Sequence, residues 1–285
     1  MARVGFISKP DKSVAAALLA RLAAWLRADG HVAVVASEDQ LSVEGTEIVA
    51  ESDMTSVDLL CVLGGDGTML RASRVVGDSG IPVLGINLGQ LGFLAGFAPD
   101  EAEIGLAGAL AGTLRVEERT RLAVTLLREG GERIERTALN DAVIHQGAVA
   151  RIVDVEAYID DDFIAAYRAD GIIVSTPTGS TAYNMAAGGP ILIPGASGMT
   201  VTPICAHSLT NRPLIVPAMS TIRFVLAREA RGVILTVDGQ WGHSFFPGEE
   251  IRITTAPHPL RLIAGPKNYF DVMRDKLHWG LRGAR

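Results

Sequence analysis

The apolar run Leu59-Leu60-Cys61-Val62 leads directly into Leu63-Gly64-Gly65-Asp66-Gly67-Thr68, and this junction restricts the fold more than any other stretch of the chain. A buried strand that ends in a glycine loop and passes into a helix, here expected from residue 68 to 76, is the unit from which parallel α/β sheets are built. Ligands of such sheets bind beyond the C-terminal ends of the strands, where this loop falls. Glycines let backbone N–H groups approach an oxygen-rich ligand without Cβ interference, and a helix N-terminus favours anions. Gly64, Gly65, Gly67 and Thr68 therefore suit a phosphate loop. Asp66 adds chemistry, because a carboxylate facing phosphates is repelled unless it binds a metal ion or accepts a proton from an attacking hydroxyl. Phosphoryl transfer answers that requirement; a tight strand-to-helix turn with Asp66 as a local cap accounts for the same six residues.

Around this junction the first hundred residues alternate strand and helix signals. Strands are expected at 4–7, 31–36, 57–63 and 81–86, with helices at 13–28 and 69–77 between them. After residue 100 short alternating segments at 122–127, 153–159, 172–175, 222–225, 233–237 and 251–254 predict a mostly β domain. The expected organisation is an α/β domain with a parallel sheet over 1–100, a mostly β, sandwich-like domain over 101–265, and a tail over 266–285 that packs back on the first domain or stays mobile. Asp160-Asp161-Asp162, between Tyr158-Ile159 and Phe163-Ile164, suits a solvated hairpin turn rather than a metal site.

Composition removes several classes of function. Lys plus Arg number 26 against 32 Asp plus Glu, a net charge of -6, so no global basic field exists to attract nucleic acid. The N-terminus reads as a strand rather than a signal peptide, and the uncharged stretch Ile81 to Pro99 is broken by Pro82, Asn87, Gln90 and glycines, which argues against a membrane span. Cys61 and Cys205 are the only cysteines in 285 residues; both are expected in the core, and they point to a reducing, cytoplasmic setting. No GxGxxG opens a helix, which argues against a dinucleotide-dependent dehydrogenase, and no GxxxxGK[ST] supplies a P-loop lysine.

A second constellation lies between Gly171 and Asn211, which contains no Asp, Glu, Lys or Arg. At its centre, Ser175-Thr176-Pro177-Thr178-Gly179-Ser180-Thr181-Ala182-Tyr183-Asn184 offers many neutral hydrogen bonds beside an aromatic ring, which suits a sugar, an amide or a nucleobase. A strand-to-helix turn capped by Ser180 and Thr181 explains the same residues. Arg168 and Asp170 precede the segment and Arg212 follows it; an Asp entering a neutral pocket can accept from an amide or amine. Asn140-Asp141 suits vicinal ribose hydroxyls, although turn chemistry alone also places such a pair, and Asp238-Gly239-Gln240 is equally compatible with a hairpin turn.

Taken together, Gly64-Gly65-Asp66-Gly67-Thr68, Gly85-Ile86-Asn87-Leu88-Gly89 with Leu91-Gly92-Phe93-Leu94, Asn140-Asp141, and Asp170-Gly171 leading to Ser175 through Tyr183 strongly resemble the NAD kinase family, in the family's order and over nearly the whole chain. The glycine loop is shared with diacylglycerol, sphingosine and phosphofructokinase relatives; Thr176 through Tyr183 is the specific mark. Asp141 stands where Glu is commoner, a side chain one methylene shorter. The resemblance implies an NAD kinase/diacylglycerol kinase-like fold with the site between its domains, assembled as homodimers or homotetramers. It implies transfer of a phosphoryl group from ATP or polyphosphate to the 2′-hydroxyl of the adenosine ribose of NAD, with Mg²⁺ or another divalent cation held mainly by substrate phosphates and Asp66 as a candidate ligand. Residue by residue, Asp66 would orient or deprotonate that hydroxyl, Gly67 would lie against the substrate and Phe93 would contact the adenine. Asn140 and Asp141 would hold a ribose, and Asp170 the nicotinamide amide or adenine amine. Thr178, Thr181, Ala182 and Tyr183 would build the dinucleotide pocket, with Arg71, Arg151, Arg168 and Gln240 as further members. A lipid kinase would need an apolar acceptor pocket, and a purely NAD-sensing module would be better served without a carboxylate near the phosphates.

Overall fold

The computed structural model describes residues 1–8, 12–89, 92–147, 152–208, 210–227 and 231–280. The chain forms two compact units, the first combining Met1–Glu118 with the chain from Leu260 onward, the second comprising Arg119–Pro259. Unit 1 begins β1 (Arg3–Ser8), α1 (Lys12–Ala28), β2 (Val32–Ala36), β3 (Thr46–Val49), β4 (Leu59–Leu63), α2 (Asp66–Val76), β5 (Val83–Ile86), α3 (Ala102–Leu110) and β6 (Val116–Arg119). In α1 the buried positions Ala15, Leu18, Leu19, Leu22, Ala23 and Leu26 recur at helical spacing, so one apolar face packs on the sheet. All five residues of β4 are buried, as expected for a strand covered on both faces.

Unit 2 contains β7 (Leu122–Leu127), β8 (Arg133–Ala138), β9 (Asp141–Gln146), β10 (Val153–Ile159), β11 (Asp162–Ala169), β12 (Gly171–Ser175), α4 (Tyr183–Ala186), β13 (Gly198–Ile204), β14 (Leu214–Pro217), β15 (Ile222–Leu226), β16 (Val233–Val237), β17 (Trp241–Phe245) and β18 (Glu250–Thr255). Two six-stranded sheets, ordered β11-β10-β15-β18-β7-β8 and β14-β13-β12-β9-β16-β17, share one core. Strands β7, β15 and β16 alternate buried with partly exposed residues, the period-two pattern of a sheet with one inward face. Asp160, at φ +53°, turns the chain between β10 and β11, so the acidic run forms the expected hairpin.

The chain then returns to unit 1 as β19 (Leu260–Ile263) and α5 (Tyr269–Leu277). The seven-stranded sheet is ordered β3-β2-β1-β4-β5-β19-β6, with parallel pairing from β3 through β19. The boundaries thus fall at 118/119 and 259/260, not at 100/101 and 265/266. Two elements explain the difference. Gly105 and Gly108 weaken the helical pattern of α3, yet a Cβ on Gly105 would lie 3.0 Å from the Phe97 ring, so the glycine permits close packing. The four-residue β19 carries no local mark of the sheet it joins. Cys61 is buried as expected, but Cys205 is exposed at φ +47°, just beyond the end of β13. Among the described residues no helix is long and apolar enough to cross a membrane.

Candidate active site

In unit 1, β4 delivers the chain to the glycine loop. Gly64 N–H donates to the Ile86 carbonyl at 2.9 Å, and Thr68 N–H and Met69 N–H donate to Gly65 at 3.0 and 3.2 Å, so α2 starts at Asp66. The Asp66 side chain does not cap its own helix. Instead its carboxylate accepts from Phe93 N–H and Leu94 N–H, both at 3.1 Å, while Lys276 Nζ lies 3.6 Å from Oδ2. A Cβ on Gly92 would sit 2.0 Å from Asp66 Oδ1, which makes glycine a condition of this contact. One third of the Asp66 side chain remains exposed, leaving lone pairs open to a ligand.

Other candidates in this unit are engaged differently. The Arg71 guanidinium is bonded by Asp39 at 2.5 Å and by Glu51, and reaches the Ser8 carbonyl at 3.3 Å; Asp39 in turn accepts from Ser8 N–H at 2.7 Å. The Phe93 ring is tilted against Tyr269, centroids 5.8 Å apart, with Lys276 Nζ 5.1 Å from its centre.

In unit 2, Asn140 and Asp141 form the junction between β8 and β9, and Asp238 holds it. Its Oδ2 accepts from Leu139 N–H at 2.9 Å, and its Oδ1 from Asn140 N–H and Asp141 N–H at 2.7 and 3.1 Å. Asp238 and Gly239 have φ of +51° and +61° in the β16–β17 hairpin, so the Asp-Gly pair is both a turn and a structural partner of the Asn-Asp pair. Burial, reinforced by the neighbouring Asp238 charge, pushes the Asp141 carboxyl up to about 7.

The hydroxyl-rich segment is bound to the same junction. Thr176 N–H donates to the Asn140 carbonyl at 2.9 Å, Thr176 Oγ1 donates to Leu139 at 2.6 Å, and Ser180 Oγ donates to Pro177 at 2.7 Å. A Cβ on Gly179 would lie 2.2 Å from the Asn140 carbonyl oxygen. Thr176 and Ser180 are therefore internal fasteners rather than ligand contacts. A pocket of about 660 Å³ is lined by Asn140, Asp141, Asp170, Ala182, Tyr183 and Asp238 among others. Thr178 and Thr181 belong to the turn leading into Ala182, with Thr181 Oγ1 donating to the Thr178 carbonyl at 3.4 Å. Arg168 is exposed, 3.6 Å from Asp154, and Gln240 is exposed beside Gly239; Arg151 lies outside the described residues. His145, Gln146 and Asp238 line the pocket without having been singled out from the sequence as site residues. Only Asp238 carried a signal, its Asp-Gly turn after a strand.

Among the described residues no group of three or more His, Cys, Asp or Glu side chains comes together to hold a metal ion. Mg²⁺ accepts one or two carboxylates plus substrate phosphates, and the partly exposed Asp66 fits that mode.

An acid beside a glycine loop in an α/β unit and a carboxylate-bearing pocket in a β-sandwich unit fit a phosphotransferase class of molecule. Residues 4–114 match the family model for the ATP-NAD kinase N-terminal domain, and residues 139–265 that for the C-terminal domain. An NAD kinase of Koribacter versatilis is 39% identical over 99% of this chain and 100% of its own length, and one of Syntrophobacter fumaroxidans is 43% identical over 98% and 99%. Yeast NADH kinase, solved as its NADH complex, superposes with TM-score 0.91 at 28% identity, covering 100% of this chain and 89% of its own. An Archaeoglobus fulgidus NAD kinase solved with ATP shares the fold at TM-score 0.76. The chain belongs to the NAD kinase family and phosphorylates NAD to NADP.

Proposed function

We propose that ATP is the donor, that the acceptor is the 2′-hydroxyl of the adenosine ribose of NAD, and that Asp66 takes the hydroxyl proton. The anchoring of the Asp66 carboxylate by Phe93 and Leu94 N–H groups, with a third of the side chain still exposed, carries this assignment. The 2′-oxygen forms the new bond to the γ-phosphorus, in line and from roughly 3 to 3.5 Å. The bond from that phosphorus to the β,γ-bridging oxygen breaks, ADP leaves with the electron pair, and the proton passes to the Asp66 carboxylate. A bound Mg²⁺ would be held mainly by the substrate phosphates and would neutralise their charge, with Asp66 a candidate protein ligand through the carboxylate oxygen that does not take the proton.

Within the pocket of unit 2, Asn140 and Asp141 accept from ribose hydroxyls and Asp170 accepts from the nicotinamide amide or adenine amine, while Ala182 and Tyr183 form walls; Thr178 and Thr181 are assigned to the dinucleotide on family resemblance. Phe93, Arg71, Arg151, Arg168 and Gln240 are assigned to the dinucleotide on family resemblance; for Arg71 this requires exchange of its pairs with Asp39 and Glu51. The same resemblance supports homodimers or homotetramers, checked by light scattering. A cytoplasmic setting rests on two thiols without a disulfide between them.

Incubation of the purified protein with NAD, Mg²⁺ and either ATP or polyphosphate, followed by an NADP-specific dehydrogenase, tests donor and acceptor together. In the same assay Asp66→Asn should cut kcat by roughly 10²-fold or more while NAD affinity changes by no more than a few-fold. Near-normal turnover would remove Asp66 from the chemistry.

A further inference from the structure

We infer that Lys276, carried by the C-terminal helix, is the cation that grips the transferring phosphoryl group beside Asp66. The inference rests on Asp66 as the reaction centre and names a residue that the sequence motifs did not supply.

The glycine loop from Leu63 to Thr68 contains no cation, and the chain has no P-loop lysine. A phosphoryl group placed at Asp66 would meet a carboxylate with no compensating charge from the loop itself. Helix α5 brings one. Its start is fixed by a capping box, in which Asn268 Oδ1 accepts from Phe270 N–H and Asp271 N–H, both at 3.0 Å, and Asp271 Oδ2 accepts from Asn268 N–H at 3.2 Å. Tyr269, Met273 and Lys276 follow at helical spacing and so share a face; Met273 is buried, and Tyr269 packs on Phe93 of the loop that holds Asp66. The last turn of that face projects the Lys276 ammonium to 3.6 Å from Asp66 Oδ2 and 5.1 Å from the Phe93 ring centre.

At 3.6 Å the contact is an ion pair, not a hydrogen bond, and one third of each side chain is open to solvent. The Lys276 donors are thus available to phosphate oxygens arriving at the exposed side of Asp66. Neighbouring cations are engaged elsewhere: Lys267 with Asp275 at 2.7 Å, Arg274 with Asp271, and Arg71 with Asp39 and Glu51. Across the loop, a Cβ added to Gly65 or Gly67 would meet no atom within 4 Å, so no other segment crowds the loop at these two positions. An ammonium is a compact point charge that follows the equatorial oxygens as the γ-phosphoryl group moves from the departing diphosphate to the acceptor oxygen. The chemistry recognised is a condensed phosphate chain, whether of ATP or of polyphosphate.

The test uses the full chain with Lys276→Met, which keeps an unbranched side chain and removes the charge, and Lys276→Arg, which restores it. Initial rates are measured against ATP and polyphosphate at saturating NAD, alongside NAD affinity by calorimetry and thermal unfolding. Lys276→Met should lower kcat/KM for ATP, and for polyphosphate if the wild type uses it, by about ten-fold or more, with NAD affinity within about two-fold, and Lys276→Arg should recover part of the loss. Donor kinetics within about two-fold of wild type would overturn the inference. So would parallel losses of NAD affinity and thermal stability that Lys276→Arg fails to repair, since these mark a mere tether of α5. If the Met variant does not fold, Lys276→Gln is judged by the same criteria. A wild-type protein that makes no NADP with either donor would instead overturn the assigned reaction; direct calorimetry of ATP on wild type and Lys276→Met would then still decide the role of Lys276.

Discussion

Asp141 and Asp238 place two carboxylates at one wall of the pocket, and their separate duties follow from what each touches. Asp238 accepts three backbone N–H groups, from Leu139, Asn140 and Asp141, whereas Asp141 is buried with its carboxyl raised to about 7. The free native protein therefore retains a proton that the unfolded chain has already released between about pH 4 and pH 7, so its stability contribution falls as pH rises through that window. Ribose hydroxyls donate best to the ionised form, so NAD affinity should move the other way and strengthen as pH rises through about 7. Calorimetric titration of NAD across that range, with Asp141→Asn as the flattened reference, checks the sign. Asp238→Asn should cost about 1–3 kcal/mol in unfolding free energy, because an amide cannot satisfy all three donors. Removing the Asp238 charge should also shift the Asp141 midpoint downward. From the sequence Asn140-Asp141 was recognisable, but the support from Asp238 arises from a hairpin nearly one hundred residues away and has no local signature.

At the scale of elements, glycines decide how closely segments meet. The 92–94 turn reaches Asp66 because Gly92 leaves space that a methyl group would take 2.0 Å from the carboxylate. Gly92→Ala should displace the Asp66 carboxylate and lower kcat by roughly 10- to 10²-fold, since small misplacements of a reacting group are costly. The comparison of kcat with NAD affinity separates this from loss of the dinucleotide pocket. Gly179→Ala drives a methyl group against the Asn140 carbonyl and should destabilise unit 2 by about 1–3 kcal/mol, read as a lower denaturant midpoint. Both glycines stood inside motifs recognised from the sequence, yet the atoms they make room for belong to segments distant along the chain.

For the whole molecule, the return of the chain from unit 2 to unit 1 completes the first sheet, because β19 lies between β5 and β6. Removal of residues from 260 onward should abolish folding of unit 1, since it withdraws an interior strand that links β5 to β6; removal from 266 onward should leave the sheet but lower the thermal midpoint by exposing the surface covered by Val272 and Met273. Circular dichroism melts of the two truncations check both outcomes. Hydrophobic periodicity and the glycine loop determined by themselves that an α/β part precedes a mostly β part, and the ordered motifs determined the family and its reaction, because these are properties of neighbouring residues. Only the tertiary structure decided where the units divide, that α5 faces Asp66 with Lys276, and that Asp238 supports Asn140 and Asp141. Those contacts join residues far apart in the chain, and their partners are selected by packing and backbone hydrogen bonding rather than by any pattern within the segments themselves.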